Sequence, residues 1–357
     1  MKKITKRWAF TGLACAAAAG IAGIGLAQQN RAASLRNEPS AIEIVPLRGN
    51  IYMLAGAGSN ITISIGSDGA LLVDSGAAEV ADKTLAAIQR LSRELTTFAQ
   101  PVKRNEGGGG SGEVLTSSLP PKPIRYIINT SSLPEHTGGN VKLAESGKTF
   151  TGGNVAGDLG DVGEGAAVLS HENALQRLSD AKMPIRGQPT ETYFGNQMKL
   201  SHHFNGEGVQ LLHIPNAITD GDTFVMFRSS DVISAGDLFS FTSYPPIDMA
   251  QGGSIQGELA GLNRMVELVI PEFRSEGGTY VIPGHGRICD TADLAYYRDM
   301  VTIIRDRIQD SIKKGMTLDQ VKAAKPTEDW DGRFGQLSVM TPDKFVEVIY
   351  KGLSAKK

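Results

Sequence analysis

Asn129-Thr-Ser-Ser-Leu-Pro-Glu-His-Thr-Gly-Gly-Asn140 opens directly after an apolar run, Ile124 to Asn129, that reads as a short buried strand. A strand that runs into Ser, Glu, His and Gly is a strand whose end carries chemistry. The small residues let the backbone turn sharply, and the polar ones have lone pairs to offer. The same construction recurs along the chain. It stands in Leu72-Val-Asp-Ser-Gly76, His213-Ile-Pro-Asn-Ala-Ile-Thr-Asp-Gly-Asp222, Ser234-Ala-Gly-Asp-Leu-Phe239 and Ile282-Pro-Gly-His-Gly286. Loops of this kind after several strands are where the chemistry is expected.

Around these loops the hydrophobic pattern predicts mixed strands and helices. Ile61, Ile63 and Ile65 alternate with polar residues, Ser67-Asp68-Gly69 turns, and Ala70-Leu71-Leu72-Val73 returns, so residues 60–74 read as a hairpin. Leu85, Ile88, Leu91, Leu95 and Phe98 recur at helical spacing. Val209 to Ile214, Thr223 to Phe227, Val232 to Ala235 and Tyr280 to Ile282 read as strands, and residues 254–270 as a helix. Farther on, Tyr297, Val301, Ile304, Ile308 and Ile312 form one helical stripe that stops at Gly315. Thr317 with Gln320 forms a capping box, and Thr341-Pro342 starts a last helix. The expected class is α/β (α+β).

Composition narrows the function. The chain has 357 residues and 41% hydrophobic content, enough for a sizeable core without disulfides. Lys plus Arg total 36 against 38 Asp plus Glu, which argues against a general nucleic-acid binder. Lys2, Lys3, Lys6 and Arg7 precede a small, apolar run from Trp8 to Leu26 that ends Gly25-Leu26-Ala27. Residues 1–27 are therefore expected to be a secretory signal peptide. Its four basic residues leave 32 basic against 38 acidic in a mature chain that keeps one cysteine, Cys289. No other stretch is long and apolar enough to span a bilayer. The mature protein is thus expected to be periplasmic or extracellular. Residues 28–41 read as a polar lead-in. Residues 100–122, with the run Glu106-Gly-Gly-Gly-Gly-Ser-Gly112, read as a flexible insertion.

Taken in order, the five loop segments resemble the landmark segments of the metallo-β-lactamase superfamily, over residues 42–290. The neighbourhood is most similar to glyoxalase-II-like or cyclase-like hydrolases with a helical tail, here residues 291–357. The resemblance implies a four-layer αββα sandwich with two zinc ions and a bridging hydroxide at one edge. Carried over residue by residue, it breaks. The family's first loop reads His-x-His-x-Asp-His, and this chain has Ser131, Leu133, Glu135 and His136 in those places. Ile218 stands where the third histidine of the first metal site belongs. The bridging aspartate is Asp237 and the last histidine is His285. By the same resemblance Asp74 supports the site from outside.

Leu133 and Ile218 have no lone pair for a metal, and a neutral serine hydroxyl is a poor zinc ligand. The first zinc site is therefore expected to be lost. Glu135, His136, Asp237 and His285 retain the ligand chemistry of the second. Two functions follow. One is a binding or accessory protein for a small-molecule ligand, a pseudoenzyme without two-zinc chemistry. The other is a mononuclear hydrolase of an ester, thioester or lactone that uses those four residues. The expected cofactor is none or one metal ion: zinc, iron or manganese. His171 is expected to cap or pack, His202, His203 and His213 to be structural, and Cys289 to be a buried small hydrophobe.

Overall fold

The computed structural model describes residues 42–98, 123–149, 165–269, 278–337 and 339–355. The expected signal peptide, the lead-in and the insertion at 100–122 lie outside these residues, as do the side chains of 96–98 and 201–202. The described residues fall within one compact unit.

Two sheets organise it. The first has seven strands in sequential order: β1 (Glu43–Pro46), β2 (Ile51–Ala57), β3 (Ser59–Gly66), β4 (Gly69–Val73), β5 (Ile124–Ile128), β6 (Ala167–His171) and β7 (Glu191–Tyr193). Neighbours are antiparallel up to β4 and parallel from β4 to β7. The second sheet holds β8 (Gln197–Phe204), β9 (Glu207–His213), β10 (Thr223–Phe227), β11 (Val232–Ser234) and β12 (Tyr280–Ile282), in the order β12-β11-β10-β9-β8. The only parallel pair in it is β11 with β12.

Side-chain alternation builds the layers, because successive residues of a strand face opposite sides of its sheet. Leu71 and Val73 of β4 meet Val225 and Phe227 of β10 between the sheets. Their neighbours Ala70 and Leu72 face outward with Ile61, Ile63 and Ile65, against Ile88 and Leu91 of helix α1 (Ala81–Phe98). On the far side, Phe224 and Met226 of β10 pack with Leu262 and Met265 of a second outer layer. Three apolar clusters therefore separate four layers, α-β-β-α.

Short helices α2 (Pro134–Thr137) and α3 (Asn140–Glu145) follow β5, and α4 (Glu172–Asp180) follows β6. The second outer layer is α5 (Ile255–Val269) and α6 (Thr291–Lys313), with α7 (Leu318–Ala323), α8 (Glu328–Phe334) and α9 (Pro342–Ser354). These last helices share the core of the second sheet: Tyr297, Phe334, Phe345 and Ile349 are in one cluster with Phe224 and Ile233. The capping box Thr317/Gln320 and the Thr341 cap form as expected. An unforeseen capping box, Asp290 with Asp293, starts α6.

Sequence periodicity had not indicated β1, β2, β6 or β7. Each is short or interrupted: β2 carries Ala55-Gly-Ala57 and a register shift, and β7 has three residues at a sheet edge. Cross-sheet partners, not local propensity, hold them extended.

At the end away from the strand-end loops, two turns clasp each other. Asn205, between β8 and β9, donates its backbone N–H to Asp68 Oδ2 at 2.7 Å. Its side-chain Oδ1 accepts from the Asp68 N–H at 3.0 Å, and its Nδ2 donates to the Gly69 carbonyl at 2.9 Å. Asn205 sits at φ 53, a left-handed conformation that asparagine tolerates better than alanine. Asn205→Ala is therefore expected to cost about 3 kcal/mol, about 1 for each of the two side-chain hydrogen bonds lost and about 1 for the backbone. Urea unfolding checks this; a loss below about 0.5 kcal/mol would mean the clasp adds nothing.

Candidate functional site

The ends of β4, β5, β11 and β12 bring Glu135, His136, Asp237 and His285 together, with one ligand-type atom from each all within 4.8 Å of one another. His136 is wholly buried on α2, whose first residue, Pro134, presets a helical φ. Its Nδ1 is 2.7 Å from Asp74 Oδ2. Asp74 is itself fixed by the Thr130 N–H at 2.7 Å and the Thr130 hydroxyl at 2.8 Å. A carboxylate on Nδ1 sets the tautomer and leaves Nε2 facing the cluster.

Nε2 comes within 3.1 Å of Asp237 Oδ2 without the alignment of a hydrogen bond. His136 Nε2 and both Asp237 oxygens are consequently buried with no hydrogen-bond partner. His285 Nε2 is 3.6 Å from Asp237 Oδ1 and 3.7 Å from Glu135 Oε1. His285 and Glu135 are partly exposed, so the cluster has a buried floor and an open rim.

Burial works against a charge on His136, but the carboxylates of Asp237 and Asp74 outweigh it and hold its pKa well above the usual histidine range. Burial likewise works against Asp237, yet the neighbouring imidazole wins and lowers its pKa.

Tight backbone approach holds the loops. A Cβ on Gly284 would lie 2.5 Å from Asp237 Oδ1, and one on Gly236 would lie 2.5 Å from the Thr130 hydroxyl. Gly236 also has φ +54. Any larger residue would push the Asp237 loop off its neighbours. Asn60 of β3 reaches across to the β12 loop. Its N–H donates to the Gly284 carbonyl, and its Nδ2 donates to the carbonyls of Pro283 and Gly286. Asn60 thereby positions His285 from the opposite sheet, a role that no local sequence signal carries.

Ser131 is buried, and its hydroxyl accepts the Leu133 N–H at 3.3 Å. Leu133 precedes the first turn of α2 and packs against the core of the second sheet. Ile218 is fully buried inside that core. His213 stays away from the cluster. It stacks on His171 with ring centres 3.6 Å apart, and its Nδ1 is 2.9 Å from the Asp222 carbonyl. His171 caps α4, its Nδ1 accepting the Asn173 N–H at 3.3 Å. His203 is exposed on β8. Cys289 is buried, and burial pushes its thiol up to about 12, which keeps it protonated and inert.

Two buried carboxyls behind the site were not singled out from the sequence. Asp222 accepts the Thr219 N–H and hydroxyl, and burial holds it up to about 7. Glu258, on α5, is fully buried with neither oxygen hydrogen-bonded, and its pKa is raised by burial and by Asp222 and Asp237.

No family model matches the chain, and no curated protein matches it by sequence. Solved structures do match. The inverting sec-alkylsulfatase Pisa1 from Pseudomonas sp. superposes with a TM-score of 0.57 at 14% identity, over 87% of this chain and 50% of that one. The chain thus spans about half the length of the alkylsulfatase. DIM-1 metallo-β-lactamase matches at a TM-score of 0.49 and 15% identity, over 74% of this chain and 99% of that one. A metallo-β-lactamase from Pontibacter korlensis matches at 0.49 and 12%, over 73% and 99%. Two facing mixed sheets between helical layers, with the polar cluster at their strand ends and the alkylsulfatase as a structural relative, give this chain the metallo-β-lactamase fold.

Proposed function

We propose that the chain is a mononuclear metal-dependent hydrolase of an ester, thioester or lactone, with one ion held by Glu135, His136, Asp237 and His285. The observation that carries this reading is the set of three orphaned buried atoms, His136 Nε2 and the two Asp237 oxygens. Buried polar atoms without partners are costly and rare, and here they face one another. Three of the spacings also fit an ion, within a cluster that spreads over 4.8 Å. Ligands at about 2.1 Å from a tetrahedral centre stand about 3.4 Å apart, and the contacts here are 3.1, 3.6 and 3.7 Å. Two imidazoles and two carboxylates suit zinc, and also iron or manganese. When bound, such an ion supplies a more acidic water and polarises a carbonyl oxygen.

The rest of the chemistry belongs to the chain. Asp74 keeps the His136 tautomer and its aim. Asp237 packs directly against the Gly284 backbone, which only a glycine leaves room for. Glu135, partly exposed beside His285, is the outermost of the four residues, and a coordination position for water would open if it stood off the ion. The reading takes the first zinc site as lost. Ser131 engages its own loop, and Leu133 and Ile218 belong to the apolar core, so nothing there offers a second ion a ligand set. A metal-free binding protein, the other function the sequence allows, would leave the three buried atoms without a hydrogen bond, with only the charge of His136 facing Asp237 at 3.1 Å. For that reason we favour the ion. We also propose export through residues 1–27.

The test is elemental analysis of the purified full chain, prepared without chelator. The expected result is about one zinc, iron or manganese per chain, lost in His285→Ala. A content near zero that does not rise on adding any of the three ions rules out the hydrolase. Two ions per chain would refute the loss of the first site.

A further inference from the structure

Five side-chain atoms are buried without a hydrogen-bond partner among the described residues: His136 Nε2, both oxygens of Asp237 and both oxygens of Glu258. An ion in the cluster accounts for the first three. It leaves Glu258, on α5, unexplained.

Glycines bring α5 into backbone contact with the loops behind the site. A Cβ on Gly253 would run into the Ile218 carbonyl, and one on Gly257 into that of Asn216. One on Gly261 would lie 3.3 Å from Leu238 Cδ2, on the residue after Asp237. Glu258 stands one turn before Gly261 on the same face of the helix, fully buried. The charged groups that act on it are Asp222 and Asp237, both acids. Tyr297 of α6 is held far above the usual tyrosine range by burial, and then by Glu258 and Asp237, so its hydroxyl is within electrostatic range of both. These neighbours are already engaged. Tyr297 donates its proton to the Ser243 carbonyl at 3.1 Å. The two oxygens of Asp222 accept the Thr219 N–H at 2.6 Å and the Thr219 hydroxyl at 2.8 Å.

An ionised carboxylate enclosed among acids is too costly to bury, so Glu258 carries a proton. Asp237 is the opposite case, kept anionic by the His136 imidazole at 3.1 Å. A donor without an acceptor therefore stands behind acceptors without a donor. One buried water satisfies both, since such waters make about three hydrogen bonds to groups that otherwise have none. It accepts from the Glu258 hydroxyl and donates to Asp237 and to the second Glu258 oxygen. We propose that Glu258 is a positioning residue of the cluster, its un-ionised carboxyl tied through one buried water to Asp237, so that the Asp237 carboxylate keeps the orientation an ion requires. The part toward the ion rests on the hydrolase reading, and the tie between the two carboxyls does not.

Zinc affinity of the full chain is measured by competition with a chelating dye, and stability by urea unfolding in chelator. Glu258→Leu is expected to bind zinc about tenfold more weakly, as when a group that orients a ligand is removed. Its urea midpoint is expected to equal or exceed that of the wild type, because leucine replaces a buried acid in an apolar core. A purely structural residue would lose both together. Glu258→Gln keeps a donor and an acceptor for the water, and is expected to stay within about threefold of wild-type affinity. Equal zinc affinity in all three proteins overturns the proposal, as does a Gln variant as weak as the Leu variant, or a Leu variant with a lowered midpoint. Infrared spectra in chelator test the tie without an ion. The difference between wild type and Glu258→Gln at pH 7 is expected to show the carbonyl stretch of a carboxylic acid. That band is expected to shift when the pair is compared in an Asp237→Asn background. A missing band, or one that does not shift, overturns the proposal whether or not Glu258→Leu folds. A wild type that takes up no metal ends the hydrolase reading, and the infrared result then decides the tie alone.

Discussion

Replacing His136 with alanine is expected to lower the unfolding free energy of the chelator-treated protein by about 3–5 kcal/mol, the cost of removing one partner from a buried charged group. The imidazole is wholly buried, with Asp74 Oδ2 on one nitrogen at 2.7 Å and Asp237 Oδ2 near the other at 3.1 Å. Without it, Asp74 keeps the two hydrogen bonds from Thr130, but Asp237 is left buried with no neighbour that neutralises it except His285 at 3.6 Å. Chelator matters in the measurement. A bound ion stabilises only the folded state, by about 2.7 kcal/mol at a hundred times its dissociation constant, and would add to the difference between the proteins. The same variant, prepared without chelator, is expected to lose its metal. Urea unfolding and elemental analysis check the two halves. A loss below about 1 kcal/mol in chelator would show that His136 does not hold the two carboxylates.

The cluster was legible because its members stand next to turn-forming residues directly after apolar runs. Asp74, Asp237 and His285 follow a strand within three residues and His136 within eight, and strands brought into register carry their ends to one edge. That much is local information. What brings Asn60 to the His285 loop, or Glu258 behind Asp237, is register between distant strands and helices, which leaves no mark on neighbouring residues. Glu258 is the sharper case. Within α5 it stands three residues after Ile255 and four before Leu262, so its position on the apolar face was readable, but a lone acid there reads as an error in an otherwise amphipathic pattern. In the same way Ile61, Ile63 and Ile65 announced one buried face, while Thr62 looked like the solvent side. In a four-layer sandwich both faces are covered, and Thr62 instead donates to the Ser234 hydroxyl across the sheets at 2.8 Å. The period of a strand shows which residues share a face and leaves open what covers it.

Lowering the pH from 6.5 to about 4 is expected to remove about 3 kcal/mol of stability through His171 alone. Burial, and then the neighbouring His213, depress the pKa of His171 to about 4. In the unfolded chain the ring titrates near 6.5, so below that pH the unfolded state binds a proton that the folded state refuses. Stability from this group is therefore complete above 6.5, falls as the pH drops through the window, and levels off below 4. At about 1.4 kcal/mol per pH unit the full interval corresponds to about 3.5 kcal/mol, and partial titration at its two ends brings the loss to about 3 kcal/mol. The geometry explains the refusal. Nδ1 must stay unprotonated to accept the Asn173 N–H that caps α4, and the ring lies flat on His213, whose own pKa burial also lowers. Tyr193 meets His171 edge-on at 5.2 Å. Asp220, which favours protonation, is paired with Arg177 at 2.7 Å. Asp222 and Glu258 act with the opposite sign, since burial raises both, but they are common to wild type and variant and cancel in a difference. His171→Asn retains a capping oxygen for the Asn173 N–H and carries no titrating ring. Its unfolding free energy, measured in urea at pH 7 and at pH 4, is expected to fall by about 3 kcal/mol less than that of the wild type. Equal losses in the two proteins would show that His171 is protonated freely in the folded state, and that the stacked pair opens below pH 6.5.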